Sequence, residues 1–391
     1  MKRNKSKIAF ICAHAEAHNT GMLSVDMAAY SLVEQLRDCV EADFFNVEVD
    51  HSLFSRGEAV FKYKKLTSLN QLLPYDSVVL WGDFLSCGYY HRKDLKNRAK
   101  KRGDKDVGCV KENDFLPSAE LLRVSNASCS FLSKFICFGG SLFGNDSFDE
   151  IDGEYKADLS VLYKNAKLVM VRDPISAMYV ARYTDWKVTD SLGIDAAWLL
   201  KPSSVLSWSE RSEKGGEVVV GYSFGRAIAK SEELLKCSTD FVRKFGDAIS
   251  GSQSVKVIDL KWLSSKKEDP LGGLSNKLGV INSCDYVVTD TYHCAINSWR
   301  EGVPTVCIGM GGDEKSGTLT EKKKEYLYSA FNIRDFYVYS EWLASGRQDQ
   351  VIKKLVNKLS DKKRIDCAVL DMGVARDSAM MRLKSALSGE C

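Results

Sequence analysis

Asp285-Tyr286-Val287-Val288-Thr289-Asp290-Thr291-Tyr292-His293-Cys294-Ala295-Ile296-Asn297-Ser298-Trp299-Arg300-Glu301-Gly302-Val303-Pro304 reads as a buried strand that runs straight into a helix. The apolar run ends at Val288, and Thr289, Asp290 and Thr291 then supply oxygens suited to cap a helix beginning near Tyr292, since short polar side chains accept from the orphan N–H groups of a first turn. His293 falls in that turn, beside backbone N–H groups and the positive end of the helix dipole. Phosphates and carboxylates bind in such places, and an imidazole there can exchange protons near neutral pH. The plain alternative is a surface or packed histidine. The chain holds five histidines, and this one sits at a strand end, where ligands of α/β sheets gather.

The same grammar recurs on both sides of this stretch. Lys7–Cys12, Asp43–Val47, Ser77–Gly82, Phe135–Gly140 and Leu168–Arg172 precede it, and Glu217–Tyr222, Val255–Leu260, Asp285–Thr289, Pro304–Gly309 and Phe336–Tyr339 complete a second series. These runs are almost continuously apolar, as parallel strands covered on both faces should be. Helical patterns alternate with them, beginning with Ser24–Leu36, and strand–helix alternation builds doubly wound α/β sheets. At 391 residues the chain is too long for one ordinary core, because single cores stop growing near ~250–300 residues. The polar stretch 202–216 (PSSVLSWSERSEKGG) reads as a linker. The expected organisation is therefore α/β, with two Rossmann-like doubly wound domains, 1–201 and 217–360, facing a cleft, and a helical segment 361–391. The stretch from Gln350 to Ser388 reads as helical, broken around Ile365 to Val374.

Composition narrows the function classes. Apolar residues at 45% and charged residues at 27% describe a globular chain and exclude a mainly disordered or fibrous one. Basic and acidic residues number 55 and 52, a net charge of +3, too balanced to steer the whole molecule onto a polyanion. No segment reaches the ~18 uncharged apolar residues of a membrane span. Met1–Lys7 is basic and Ile8–Ala13 apolar, in the manner of a signal peptide, but His14, Glu16 and His18 interrupt the run, so a first buried strand is the better reading. Twelve cysteines form no CxxC pair, and several sit inside apolar runs. Free cysteine behaves as a small buried hydrophobe, which points to a reducing, cytoplasmic setting without a disulfide framework or a metal site.

Further candidates lie at strand ends. Arg172 closes the run Leu168–Arg172, Asp173 can cap, and Pro174 suits a first helical position. A guanidinium there can clamp a carboxylate or phosphate through two bonds, or pair structurally with a neighbouring carboxylate. Asn19-Thr20-Gly21 lies between the first strand and helix, where a glycine lets backbone approach a ligand. Trp81-Gly82-Asp83 and Gly139-Gly140-Ser141 follow strands in the same way. After Val306–Ile308, Gly311–Lys315 forms a glycine-bearing turn from which Lys315 can reach an anion. Residues 92–106 hold eight basic and three acidic side chains, a solvated loop by default and otherwise a lure for an anionic acceptor or membrane surface. The sequence contains no GxGxxG and no GxxxxGK[ST], which disfavours dinucleotide binding and a P-loop NTPase.

Taken in order, these elements resemble the polysaccharide pyruvyl transferase family. Asn19-Thr20-Gly21 before a helix is similar to its N-x-G start, and Val79–Asp83 to its strand ending in glycines. Phe138–Leu142 resembles its small-residue–Ser–hydrophobe turn, and Val171–Ser176 its strand-R-[DE]-x-x-S element. Asp195–Leu200 is similar to its D-P-[AS]-[FW]-L-L segment, with Ala196 in place of proline. Thr289–His293 with Gly302-Val303-Pro304 resembles its histidine-bearing element. The last two are the most specific.

The resemblance implies a GT-B-like pair of domains, the first on the acceptor side and the second on the donor side. It implies transfer of a pyruvyl group from phosphoenolpyruvate, as donor substrate and without further cofactor or metal, to a sugar of a cell-surface polysaccharide or its lipid-linked precursor. Such an acceptor would set the protein in the cytoplasm, at the inner face of the membrane. It further implies Arg172 and His293 as the basic residues that hold the donor; Asn19, Gly21, Gly82, Asp83, Gly139, Ser141, Asp195, Thr289, Asp290 and Thr291, with Lys315 from the turn described above, are the residues expected around the substrates. One departure is visible: many members have Arg where this chain has Thr291. The competing readings are a nucleotide-sugar glycosyltransferase of the same architecture and a catalytically silent glycan-binding relative. Neither the acceptor sugar nor the oligomeric state is written in the sequence.

Overall fold

The computed structural model describes residues 5–12, 19–46, 51–55, 58–82, 127–142, 153–210, 216–225, 228–264, 269–310 and 319–388. Seven strands make the first sheet: β1 (Ser6–Cys12), β2 (Val40–Asn46), β3 (His51–Ser55), β4 (Glu58–Lys65), β5 (Ser77–Trp81), β6 (Phe135–Gly140) and β7 (Leu168–Val171). Their order is β3-β4-β2-β1-β5-β6-β7, parallel throughout except for the β3–β4 pair at one edge. The second sheet comprises β8 (Glu217–Ser223), β9 (Ser254–Asp259), β10 (Tyr286–Thr289), β11 (Thr305–Gly309) and β12 (Tyr337–Tyr339). Its order, β12-β11-β10-β8-β9, is parallel throughout.

Apolar runs became central strands because helices cover both of their faces: Ile8 to Cys12 and Val78 to Trp81 are all buried. Helices α1 (Thr20–Gln35), α2 (Cys129–Leu132), α3 (Gly153–Asn165) and α4 (Pro174–Tyr183) accompany the first sheet. With the second go α5 (Glu232–Ser250), α6 (Pro270–Ser283), α7 (Tyr292–Arg300), α8 (Leu319–Ala330), α9 (Ser340–Ala344) and α10 (Gln348–Leu359). In each sheet the winding reverses beside its first strand, β1 lying between β2 and β5 and β8 between β9 and β10. Open α/β sheets bind ligands in the crevice outside the carboxyl ends of the strands at such reversals.

One apolar cluster runs through both halves, from Ile8 and Met27 on the first sheet and α1 to Cys294, Ile296, Cys307 and Ile308 on α7 and the second sheet. The two halves thus share one continuous apolar cluster. α11 (Lys362–Ser388) returns to the first half, where Arg382 meets Asp190 through its Nη2 at 3.2 Å.

Two expectations need correction. The β3–β4 hairpin is an unforeseen pair of strands; in β4 Phe61 and Tyr63 are buried while Lys62 and Lys64 are exposed, an alternation that one-sided edge strands show and fully buried ones do not. The C-terminal helices are interrupted at Ser360–Asp361, not around Ile365 to Val374, and α11 is continuous through Gly373. Among the described residues no helix is long and apolar enough to cross a membrane.

Candidate functional site

The switch point of the second sheet is built by the segment that leaves β10. Thr289 Oγ1 donates to Ser223 O at 2.8 Å on β8 and accepts from Thr291 N at 3.0 Å. The Asp290 carboxylate accepts from Gly225 N at 2.9 Å and Ile228 N at 3.5 Å, so it ties down the turn after β8. Burial pushes the Asp290 carboxyl up, against the opposing pull of Lys324 and these bonds. From below, Lys324 Nζ donates to Asp290 O at 2.9 Å and pairs with Glu321 at 2.6 Å. Thr291 takes the N-cap position of α7 but makes no side-chain cap bond; its hydroxyl donates to Asp290 Oδ1 at 3.1 Å instead. The expected capping by these oxygens is therefore corrected: Asp290 and Thr291 serve the β8 turn and each other. The first turn of α7 keeps its dipole without a side-chain acceptor from its cap, which is the condition under which a helix start attracts an anion.

His293 projects from that turn toward the first half of the molecule. Gly21, in the first turn of α1, lies so close that a Cβ placed on it would stand 2.8 Å from His293 Nδ1 and 3.0 Å from its Cβ. Glycine is needed here for a close approach, made by the His293 side chain and not by the ligand expected at the turn after β1. The start of α1 is held firmly. Asn19 accepts from Met22 N at 3.3 Å, Ser24 Oγ donates to Gly21 O at 2.7 Å, and Lys277 Nζ donates to Thr20 Oγ1 at 2.8 Å from α6. Lys277 also donates to the carbonyls of Trp262 and Ser264. Burial lowers its ammonium to about 8.

On its other side the imidazole meets Asp195. Nε2 stands 3.7 Å from Asp195 Oδ2, within ion-pair range, and makes no hydrogen bond among the described residues. The same carboxylate oxygen accepts from Arg172 Nη1 at 2.6 Å, and Asp195 Oδ1 accepts from Ala197 N at 2.9 Å. Arg172 is 4% exposed and Asp195 3%, against 16% for His293. Burial pushes the Asp195 carboxyl up, but His293, Arg172 and the Ala197 N–H outweigh it and hold the group well below the usual carboxylate range. The Arg172 guanidinium also covers the Tyr292 ring at 4.9 Å. Arg172 and His293 do converge, from separate sheets, but on an internal carboxylate. The expected open clamp at Arg172 is thus a buried ion pair, the structural alternative noted for it. The pairing arises because Asp195 caps the short turn Ala196–Leu199 directly beneath the end of β7.

Two glycines, one just after β5 and one near the end of β6, have left-handed backbone. Gly82 has φ +81° and Gly139 φ +74°, a region that side chains other than glycine rarely adopt. A Cβ on Gly139 would lie 3.1 Å from Ala196, so that glycine admits the Asp195 turn. Ser141 faces inward: its hydroxyl donates to Asp173 Oδ2 at 3.2 Å, and Asp173 caps α4 through Ser176 N at 2.8 Å. Its expected contact with substrate gives way to this buried network. Asp83, Lys315 and the basic stretch 92–106 lie outside the described residues.

The sequence reading passed over two residues of α7. Asn297 Nδ2 donates to Ser24 Oγ on α1 at 3.2 Å and to His293 O at 2.8 Å. Arg300 donates to Asn297 Oδ1 at 2.7 Å and to Ala197 O at 3.4 Å. His293, Asn297 and Arg300 fall at i, i+4 and i+7, one stripe of the helix, and that polar stripe on a short helix was a readable signal. Among the described residues no group of three His, Cys, Asp or Glu side chains could hold a metal ion.

The family model for polysaccharide pyruvyl transferase matches residues 26–311. No curated protein sequence matches the chain. Among solved structures, a protein described as a UDP-N-acetylglucosamine 2-epimerase from Listeria monocytogenes aligns at TM-score 0.51 and 11% identity, over 99% of this chain and 98% of that one. The UGT89C1 structure from Arabidopsis thaliana, complexed with quercetin, aligns at TM-score 0.46 and 12% identity, over 98% of this chain and 100% of that one. At 11% identity the likeness to the epimerase structure is one of fold, a two-sheet α/β architecture.

Proposed function

The chain belongs to the polysaccharide pyruvyl transferase family, and we propose that it transfers the pyruvyl group of phosphoenolpyruvate to a sugar of a cell-surface polysaccharide or its lipid-linked precursor, forming a pyruvate ketal. The observation that carries this reading is the meeting of two switch points at one histidine: His293 at a helix start without a side-chain cap, against Gly21 from the other sheet. Phosphoenolpyruvate is an anion at both ends, which suits that helix start. The imidazolium of His293 delivers a proton to C3 of the enol, leaving positive character at C2. A sugar hydroxyl adds to C2, the C2–O bond to phosphate breaks, and a second hydroxyl closes the ketal. Two hydroxyl protons are released; one restores the imidazolium and the other leaves with phosphate. The donor and acceptor become the ketal and inorganic phosphate, with no change of oxidation state. The group transfer needs no further cofactor in this scheme.

The test incubates the protein with phosphoenolpyruvate and a panel of glycosides, scored by phosphate release and by the product's mass. Sugar-dependent phosphate release with gain of one pyruvyl unit is expected. A thermal shift with uridine diphosphate, and none with phosphoenolpyruvate, would move the donor to a nucleotide sugar.

A further inference from the structure

We propose that Asp195 is a positioning residue for His293, and that Arg172 acts on the site through Asp195 while Nδ1 of His293 is the nitrogen that delivers the proton. This inference rests on the reading of His293 as the acid–base group. The geometry separates the two ring nitrogens. Nε2 is enclosed and faces Asp195 Oδ2 at 3.7 Å. Nδ1 lies on the Gly21 side, where the absence of a Cβ lets the helix start pack close to it, and it is the ring nitrogen not turned to Asp195. A carboxylate that takes one imidazole nitrogen fixes the ring's orientation and tautomer and favours its charged form. The 3.7 Å separation fits a contact that tightens when substrate closes the site.

Arg172 fits this division of labour better than direct donor contact. Its Nη1 is committed to Asp195 at 2.6 Å, and its side chain is almost wholly enclosed. A cation at that distance keeps Asp195 ionised despite burial. The backbone seconds the arrangement: Ala197 N holds the second oxygen, and Gly139 lets the capping turn approach. The charged groups around His293 are Asp195 from this turn, Arg172 behind it at the end of β7, Asp290 at the foot of its own helix and Lys277, which reaches Thr20 from α6. Of these, Asp195 is the anion in ion-pair range of the imidazole.

Asp195→Asn is the test. Asparagine keeps the shape and can still accept from Ala197 N, but it removes the charge. Turnover should fall about 100-fold or more, the size of a general acid–base contribution. The KM values for donor and acceptor should stay within about threefold, and the alkaline limb of the kcat profile, where the imidazolium is lost, should move to lower pH. An unchanged kcat with a raised acceptor KM would overturn the proposal and make Asp195 a sugar ligand. A second readout needs no substrate: in protein labelled with 13C-histidine, the His293 signal, assigned by its loss in His293→Gln, should leave its imidazolium form at lower pH in Asp195→Asn than in the unaltered protein. If that titration moves although no pyruvyl transfer is found, the functional reading fails and the pairing stands. If transfer occurs while neither the titration nor the kcat profile moves, the pairing fails. Should Asp195→Asn not fold because Arg172 loses its buried carboxylate, the double variant Arg172→Gln with Asp195→Asn removes both charges and should show the same displaced titration; an unmoved titration there overturns the proposal too.

Discussion

Gly21→Ala places one methyl group where the two halves of the site touch. Gly21 is helical, with no unusual φ, so alanine is acceptable to the backbone, and helix propensity favours it by up to about 1 kcal/mol. The new Cβ, however, would sit 2.8 Å from His293 Nδ1 and 3.2 Å from Cγ, where comfortable contacts need about 3.5 Å or more. The helix start cannot easily retreat, because the Asn19 cap and the Lys277–Thr20 bond hold it. The imidazole must therefore give way by roughly 0.7 Å. Overpacking of this kind costs about 1–3 kcal/mol, partly offset by the propensity gain, so the protein should remain folded with a shift of a few degrees in Tm. A reacting group misplaced by about 1 Å can lose ~10²-fold in rate. Turnover 10- to 100-fold below the unaltered protein, in coupled phosphate release, is thus about what that displacement implies. Full turnover with unaltered Tm would refute the reasoning, since the ring would then have room or no role.

Other perturbations separate chemistry from stability. His293→Ala should remove most phosphate release while a thermal melt shows a folded protein; near-full product formation would remove the residue from the mechanism. Arg172→Met leaves Asp195 buried beside a hydrocarbon and should cost about 3–5 kcal/mol in urea unfolding, and an unchanged midpoint would show that the pair contributes nothing. Gly139→Ala combines a positive φ with a 3.1 Å approach to Ala196; it should destabilise by about 1–3 kcal/mol and lower kcat by displacing Asp195, and equal activity would speak against that coupling. Burial pushes the thiols of Cys137, Cys294 and Cys307 up to about 12, from about 8.5 in an unfolded chain. A raised value means that the stability they lend is complete below about pH 8.5 and is lost as pH rises toward 12. Lys277, lowered to about 8, works in the opposite sense up to about 10.4 and offsets one of the three. Urea midpoints should therefore fall between pH 8 and 10; a rise would contradict the sign.

The central strands and the positions of Arg172 and His293 were legible because long apolar runs and strand-end polar residues are local signals. The Asp195 pairing was not. Arg172 and Asp195 stand 23 residues apart, and their meeting depends on how closely the Ala196–Leu199 turn can pass Gly139, a matter of tertiary packing. The edge hairpin was missed because β4 alternates buried Phe61 and Tyr63 with exposed Lys62 and Lys64, against the continuous runs that drew attention elsewhere. At Thr291 local propensity misled: a hydroxyl at an N-cap position usually accepts from its own helix, yet here Asp290 takes it, because that carboxylate is already anchored to Gly225 and Ile228.

The most direct test of the account is a single-turnover assay with phosphoenolpyruvate and an accepted glycoside in deuterated water. Protonation of the enol carbon by His293 predicts one solvent deuteron in the methyl group of the ketal, formed together with one inorganic phosphate and lost with His293→Ala. A pyruvyl product whose methyl group carries no solvent deuterium, or one formed equally well by His293→Ala, would contradict it.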